Sequence, residues 1–320
     1  MDKEVAFGSS FPTHTTVLGE IIGKHGFSFF VEMARTAERL GYRSFLIPDH
    51  HMFPLPGNNV LFETWTVLSA LAVLTREIRL GTCVTPVPFY HPGNLAKRVA
   101  CVDQISGGRV VLGVGSGWVL EEFAAYGIPF ESHSVRTQKT SEGIQIIKGL
   151  WTNDGPLTFH GKYYTLEKAM SLPKPVQKPH PPIWLGGEST KIIEVVANLG
   201  DGWIPAAMRM TPETYRSRVD LLRRLLQKIG REPDDVTCAL TIRAPRARSK
   251  EEMEKQQKSS LMVHDEGERT PRTASECVAS IQRYMAAGAR HVVIGIEPTT
   301  DLEAMLHKLR LCSEEIIPKI

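Results

Sequence analysis

Short apolar runs alternate along the chain with longer segments whose apolar residues recur every three or four positions. The short runs lie at Val5–Gly8, Ser44–Pro48, Ile78–Cys83, Val110–Val114, Ile183–Gly186, Gly202–Pro205, Thr237–Ile242 and His291–Ile296. Runs of this kind, rich in β-branched residues, suit strands covered on both faces. The longer segments, near Ser28–Leu40, Thr64–Thr75, Pro92–Gln104, Arg136–Leu150, Thr190–Leu199, Thr214–Ile229, Ala274–Ala287 and Leu302–Ile316, carry the period of amphipathic helices. Eight strands alternating with eight helices predict an α/β fold, a closed parallel (β/α)8 TIM barrel. Gly41 and Gly288 each follow a predicted helix and precede a strand, where glycine commonly closes a helix C-terminus. Asn153–Lys178 and Ala244–Arg272 are too long for ordinary connections and read as insertions within one barrel domain spanning residues 1–320. Such insertions serve as lids, ligand contacts or oligomer surface.

Composition narrows the function classes. With 42% hydrophobic and 23% charged residues the chain has the make-up of a globular enzyme with a large core. The net charge, 38 − 35 = +3, is too small and too dispersed to predict a nucleic-acid or membrane partner. The most basic stretch holds Arg243, Arg246, Arg248 and Lys250, and reads either as a solvated loop or as a cationic lip for an acidic ligand tail. Cys83, Cys101, Cys238, Cys277 and Cys312 are scattered, without a Cys-x-x-Cys pair, and predict reduced thiols in a cytoplasmic protein. No signal peptide and no run of about 18 apolar residues is visible.

In such a barrel the chemistry sits where strands pass into the loops after them. The second junction places Asp49, His50 and His51 directly after an apolar strand. A carboxylate and imidazoles that titrate near neutral pH are costly to bury there and well placed to move protons. A metal would need a third ligand that the spacing does not supply. The third junction, Leu80 to Pro86, turns away at Cys83–Val84, and Cys83 has no basic neighbour to make it a nucleophile. The fourth, Gly115-Ser116-Gly117-Trp118, lets backbone approach a ligand. It is no dinucleotide fingerprint, since Leu120 stands where the third glycine would be. The fifth, Gly186-Gly187-Glu188-Ser189, opens a helix and reads equally as a phosphate-binding turn or as a Ser/Thr cap with a glycine turn.

These junctions resemble those of the luciferase-like monooxygenase superfamily of flavin and deazaflavin barrels. The resemblance is carried by His91-Pro92-Gly93-Asn94-Leu95-Ala96-Lys97, Asp103 to Arg109 and Leu112 to Trp118, followed by Glu121-Glu122-Phe123 and Tyr126-Gly127-Ile128-Pro129-Phe130. Trp151-Thr152, Phe159 to Tyr164, Pro182 to Gly187 and Gly200 to Pro205 extend it. This string is similar to the branch that uses coenzyme F-420, a deazaflavin. The resemblance implies that Asp49 and His50 lie against the deazaflavin, His50 as the catalytic acid or base. It implies a non-prolyl cis peptide at Cys83–Val84 backing the ring. It implies further cofactor contacts from Gly115, Ser116 and Gly117, and from a phosphate loop of Gly186, Gly187, Glu188 and Ser189. A homodimer is the family habit. Sugar-phosphate dehydrogenase relatives place an acid where this chain has Trp118, while Glu121 and Glu122 come a turn too late to reach. That departure points to a more apolar pocket walled by Phe53, Trp65 and Trp118.

The expected activity is hydride transfer between an organic substrate and F-420, with FMN-dependent oxygenation by reduced flavin as the alternative. A cofactor-binding barrel without catalysis is a further alternative, against which the Asp49-His50 pair argues.

Overall fold

Eight of the nine strands in the main sheet are parallel staves that close on themselves. The structure is a computed structural model that describes residues 5–12, 16–54, 60–245 and 273–320. In chain order the staves are β1 (Ala6–Ser10), β2 (Ser44–Ile47), β3 (Arg79–Thr82), β5 (Val110–Gly115), β8 (Ile183–Leu185), β9 (Gly202–Trp203), β10 (Thr237–Arg243) and β11 (His291–Gly295). They pair in the order β3-β2-β1-β11-β10-β9-β8-β5, and the contact of Leu80 with Val110 joins β3 to β5 and closes the barrel. This is the predicted barrel, and each predicted strand contributes a stave. A short β4 (Thr85–Pro86) leaves the line of β3 and pairs with the far end of β5, Thr85 beside Val114.

The predicted helices form the outer layer: α2 (Ser28–Arg39), α3 (Thr64–Leu74), α4 (Pro92–Ser106), α6 (His133–Thr152), α7 (Thr190–Leu199), α8 (Pro212–Lys228), α9 (Ala274–Ala286) and α10 (Leu302–Leu311). Gly41 and Gly288 take φ values of 80° and 112° just past α2 and α9, the left-handed closure that glycine allows. The last helix differs from its reading: after Leu311 the turn widens into a π segment over Cys312–Ile316. Among the described residues two helices have no counterpart in the periodicity, α1 (Thr16–His25) and α5 (Leu120–Ala125). The first insertion folds as an antiparallel hairpin, β6 (Leu157–His160) with β7 (Thr165–Ala169). Buried Asp103 ties its end to the barrel by accepting hydrogen bonds from the backbone N–H groups of Val176 and Gln177, at 2.8 and 3.1 Å. Of the second insertion only Ala244 and Pro245 are among the described residues.

Two apolar layers result. Leu46, Val111, Trp184, Ile204, Ala239 and Val293 fill the barrel interior, and a larger cluster packs strands against helices. At the N-terminal end of the staves His291 is buried beside Trp184, its Nε2 3.0 Å from Ser44 Oγ. Burial, with a smaller contribution from Arg79, pushes its imidazole down from 6.5 to about 4. The unfolded chain therefore binds one more proton than the folded chain between those values, so this site loses stability as pH falls through the window. The loss should reach about 3 kcal/mol at pH 4. His291→Gln is expected to flatten that part of the profile in urea unfolding measured from pH 7 to 4; a variant with the parent's acid slope would contradict the assignment.

Candidate active site

The C-terminal ends of the staves open into a cavity of about 410 Å³. Its floor is the turn between β3 and β4, where the Cys83–Val84 peptide is cis. Glycine is required around that floor. A Cβ on Gly115 would stand 2.7 Å from Val84 Cγ2, and one on Gly186 would stand 3.2 Å from Val84 Cγ1. The floor is therefore an apolar surface flanked by bare backbone. Burial pushes the Cys83 thiol up to about 12, which leaves it protonated and unreactive at neutral pH.

Along one wall stands His50, just past β2. Its Nδ1 lies 3.0 Å from Glu122 Oε2. Glu122 Oε1 accepts the backbone N–H of His51 at 2.6 Å and that of Met52 at 3.4 Å. Burial pushes the Glu122 carboxyl up, but the hydrogen bond and charge of His50 and the two backbone donors outweigh it and hold the group below its ordinary value. A carboxylate kept ionised in this way accepts Nδ1–H from His50. It fixes the orientation of a ring that lines the cavity and whose Nε2 takes no hydrogen bond from the described residues.

The reading that Glu122 falls too far along the chain is corrected here, while Glu121, exposed on the same helix, stays outside the cavity lining. Gly117, at φ 75°, folds the loop back so that α5 begins at Leu120 and carries Glu122 to His50. A six-residue helix is too short to show periodicity, so the sequence held the acidic pair but not its direction.

Asp49 lies one layer deeper, 1% exposed and outside the cavity lining. It accepts hydrogen bonds from Thr85 Oγ1 at 2.7 Å and from the Tyr90 hydroxyl at 3.0 and 3.1 Å, and that hydroxyl is also 3.3 Å from His51 Nε2. Burial raises the Asp49 carboxyl above its ordinary value despite those bonds. Through Thr85 the side chain ties the end of β2 to the chain just beyond the cis peptide.

Of the other residues singled out from the sequence, Cys83, Val84, Gly115, Ser116, Gly117, Gly186, Gly187 and Glu188 line the cavity. Ser189 does not; its hydroxyl caps α7, accepting from Ile192 N at 3.3 Å. Trp118 is in the wall, and Phe53 packs on the His50 ring at 4.6 Å. Trp65 is corrected: it is 1% exposed on α3, in the layer between helices and barrel. Arg243 lines the cavity, 3.0 Å from Glu297, while Arg246, Arg248 and Lys250 lie outside the described residues. Sequence reading missed Arg136, a buried cation in the wall that donates to the Ser116 carbonyl at 3.2 Å and stacks on Phe130. It sits on α6, where nothing in the spacing marks it. Among the described residues no group of three or more metal-ligating side chains converges, and no helix is long and apolar enough to cross a membrane.

Comparison with known proteins matches residues 6–292 to the luciferase-like monooxygenases. The chain is 32% identical over 192 residues to the FMNH2-dependent dimethylsulfone monooxygenase of Pseudomonas putida, covering 60% of this chain but only 52%, about half, of that protein. It is 29% identical to the F-420-dependent glucose-6-phosphate dehydrogenase of Microbacterium testaceum, over 89% of this chain and 90% of that one. Among solved structures, an F-420-dependent secondary alcohol dehydrogenase superposes with a TM-score of 0.79 over 99% of both chains at 21% identity, a likeness of fold. The relatives thus divide between flavin and deazaflavin users.

Proposed function

The chain belongs to the luciferase-like monooxygenase family, and from that premise we propose that it is an oxidoreductase transferring a hydride between a small organic substrate and coenzyme F-420. The observation that carries this reading is the His50–Glu122 pair beside a glycine-flanked apolar floor. A bound deazaflavin supplies a ring carbon that gives or takes a hydride, and the protein supplies position and a proton.

The residues present fit such a group. Cys83 and Val84, with Gly115 and Gly186 bare of Cβ atoms beside them, would support one face of a planar ring system. The turn Gly186-Gly187-Glu188-Ser189 would place the first N–H groups of α7 toward a phosphate, and Ser189 keeps its hydroxyl proton for donation while it caps Ile192. Asp49 would act from beneath, holding the floor through Thr85. His50 holds the proton to be moved at Nε2, and Glu122 stabilises the ring when it carries both protons. Phe53 packs against the imidazole and Trp118 stands edge-on to it, leaving the ring open to the cavity.

A second reading, oxygenation by reduced FMN, is favoured by the identity to the dimethylsulfone monooxygenase. Fluorescence titration of the purified protein with F-420 and with FMN separates the two. Saturable binding of F-420 at least about tenfold tighter than FMN is expected. Tight FMN binding without F-420 binding would overturn the cofactor assignment.

A further inference from the structure

The wall beside His50 says what kind of molecule fits. Trp118 is 55% exposed where it lines the cavity. Its ring stands perpendicular to that of His50 at 6.2 Å and lies 5.7 Å from Phe53. Met208 lines the same mouth, 38% exposed. Large apolar side chains left open around the rim of a cavity mark the place where a ligand completes their burial.

The charged groups on this side point the same way. Arg243 already faces Glu297 at 3.0 Å, and Arg209 lies 3.9 Å from Glu188 with its guanidinium 5.8 Å over the Trp118 ring. Each of these two cations thus has a carboxylate beside it, and the third, Arg136, is taken up by the Ser116 and Glu131 carbonyls and the Phe130 ring, which together offset the field a dianionic phosphate ester would need. The hydroxyls of a sugar placed against Trp118 and Met208 would lose water without gaining partners, about 1–3 kcal/mol for each group left unpaired.

We propose that the substrate is an uncharged organic molecule with an apolar, ring-sized body and a single hydroxyl or carbonyl oxygen, and that Trp118 selects it. The oxygen meets Nε2 of His50, and the apolar body packs on the Trp118 ring, which Phe53 backs, and is capped by Met208. This assignment rests on the cofactor reading above, and it sets the chain apart from its sugar-phosphate-oxidising relative despite 29% identity.

Calorimetric titration of the F-420-loaded protein with cyclohexanone and with glucose 6-phosphate tests it, loading being verified beforehand from the deazaflavin absorbance. Cyclohexanone is expected to bind at least about tenfold more tightly than glucose 6-phosphate. Trp118→Ala should weaken cyclohexanone about tenfold and leave the F-420 Kd within about twofold, while Trp118→Phe keeps most of the affinity. Because the side chain is half-exposed, its removal leaves the core untouched. Tighter binding of glucose 6-phosphate, no binding of cyclohexanone, or equal cyclohexanone affinity in Trp118→Ala would each overturn the proposal. Failure of F-420 to load at all would instead sink the cofactor reading. The same titrations on FMN-loaded protein would then decide the substrate class.

Discussion

Replacing His50 with alanine is expected to lower turnover by about 10²- to 10⁴-fold while the Kd for F-420 changes by no more than about threefold. The two effects separate because the floor that would carry the ring system is built from other residues, Cys83, Val84, Gly115 and Gly186. His50 stands on the wall, anchored from behind by Glu122. Single-turnover absorbance of the deazaflavin reads the first quantity and fluorescence titration the second. Turnover within a fewfold of the parent would remove His50 from the chemistry; lost cofactor binding would make it a structural support instead. Glu122→Gln keeps the shape and loses the charge. It should therefore cost less than His50→Ala yet still lower kcat with little change in cofactor affinity.

Gly113→Ala is expected to destabilise the fold by more than about 3 kcal/mol, or to prevent folding altogether. An ideal Cβ on Gly113 would sit 1.9 Å from the Thr82 carbonyl oxygen, and one on Gly81 would sit 2.0 Å from the Val111 carbonyl oxygen. Both obstacles are backbone on the neighbouring stave, and neither can rotate away. The two glycines let β3 and β5 approach closely where the barrel closes, just before the Cys83–Val84 turn that forms the cavity floor. Gly155→Ala, where nothing lies within 4 Å, serves as the control and should change stability by less than about 0.5 kcal/mol. Urea unfolding of the two variants decides it: equal stability would mean that the register of β3 against β5 is wrong.

Sequence alone determined the alternation of buried staves and amphipathic helices, because burial on both faces leaves continuous apolar runs and burial on one face leaves a helical period. It also marked the stave ends at His50, Cys83–Val84, Gly115–Gly117 and Gly186–Glu188, since polar residues and glycines stand out at the end of an apolar run. What it could not carry was direction across the barrel mouth. Glu122 is 72 positions from His50 and reaches it only because Gly117 turns α5 back over the opening. Asp49 adjoins His50 in sequence, yet the chain past β2 turns its carboxylate away from the cavity to Thr85 and Tyr90. Trp65 and Trp118 read alike as aromatic wall residues, and only packing assigns one to the helix layer and the other to the cavity. A linear pattern records which side chains avoid water; which of the remaining polar groups meet is set by loop geometry and contacts between distant segments, and those exist only once the barrel has closed.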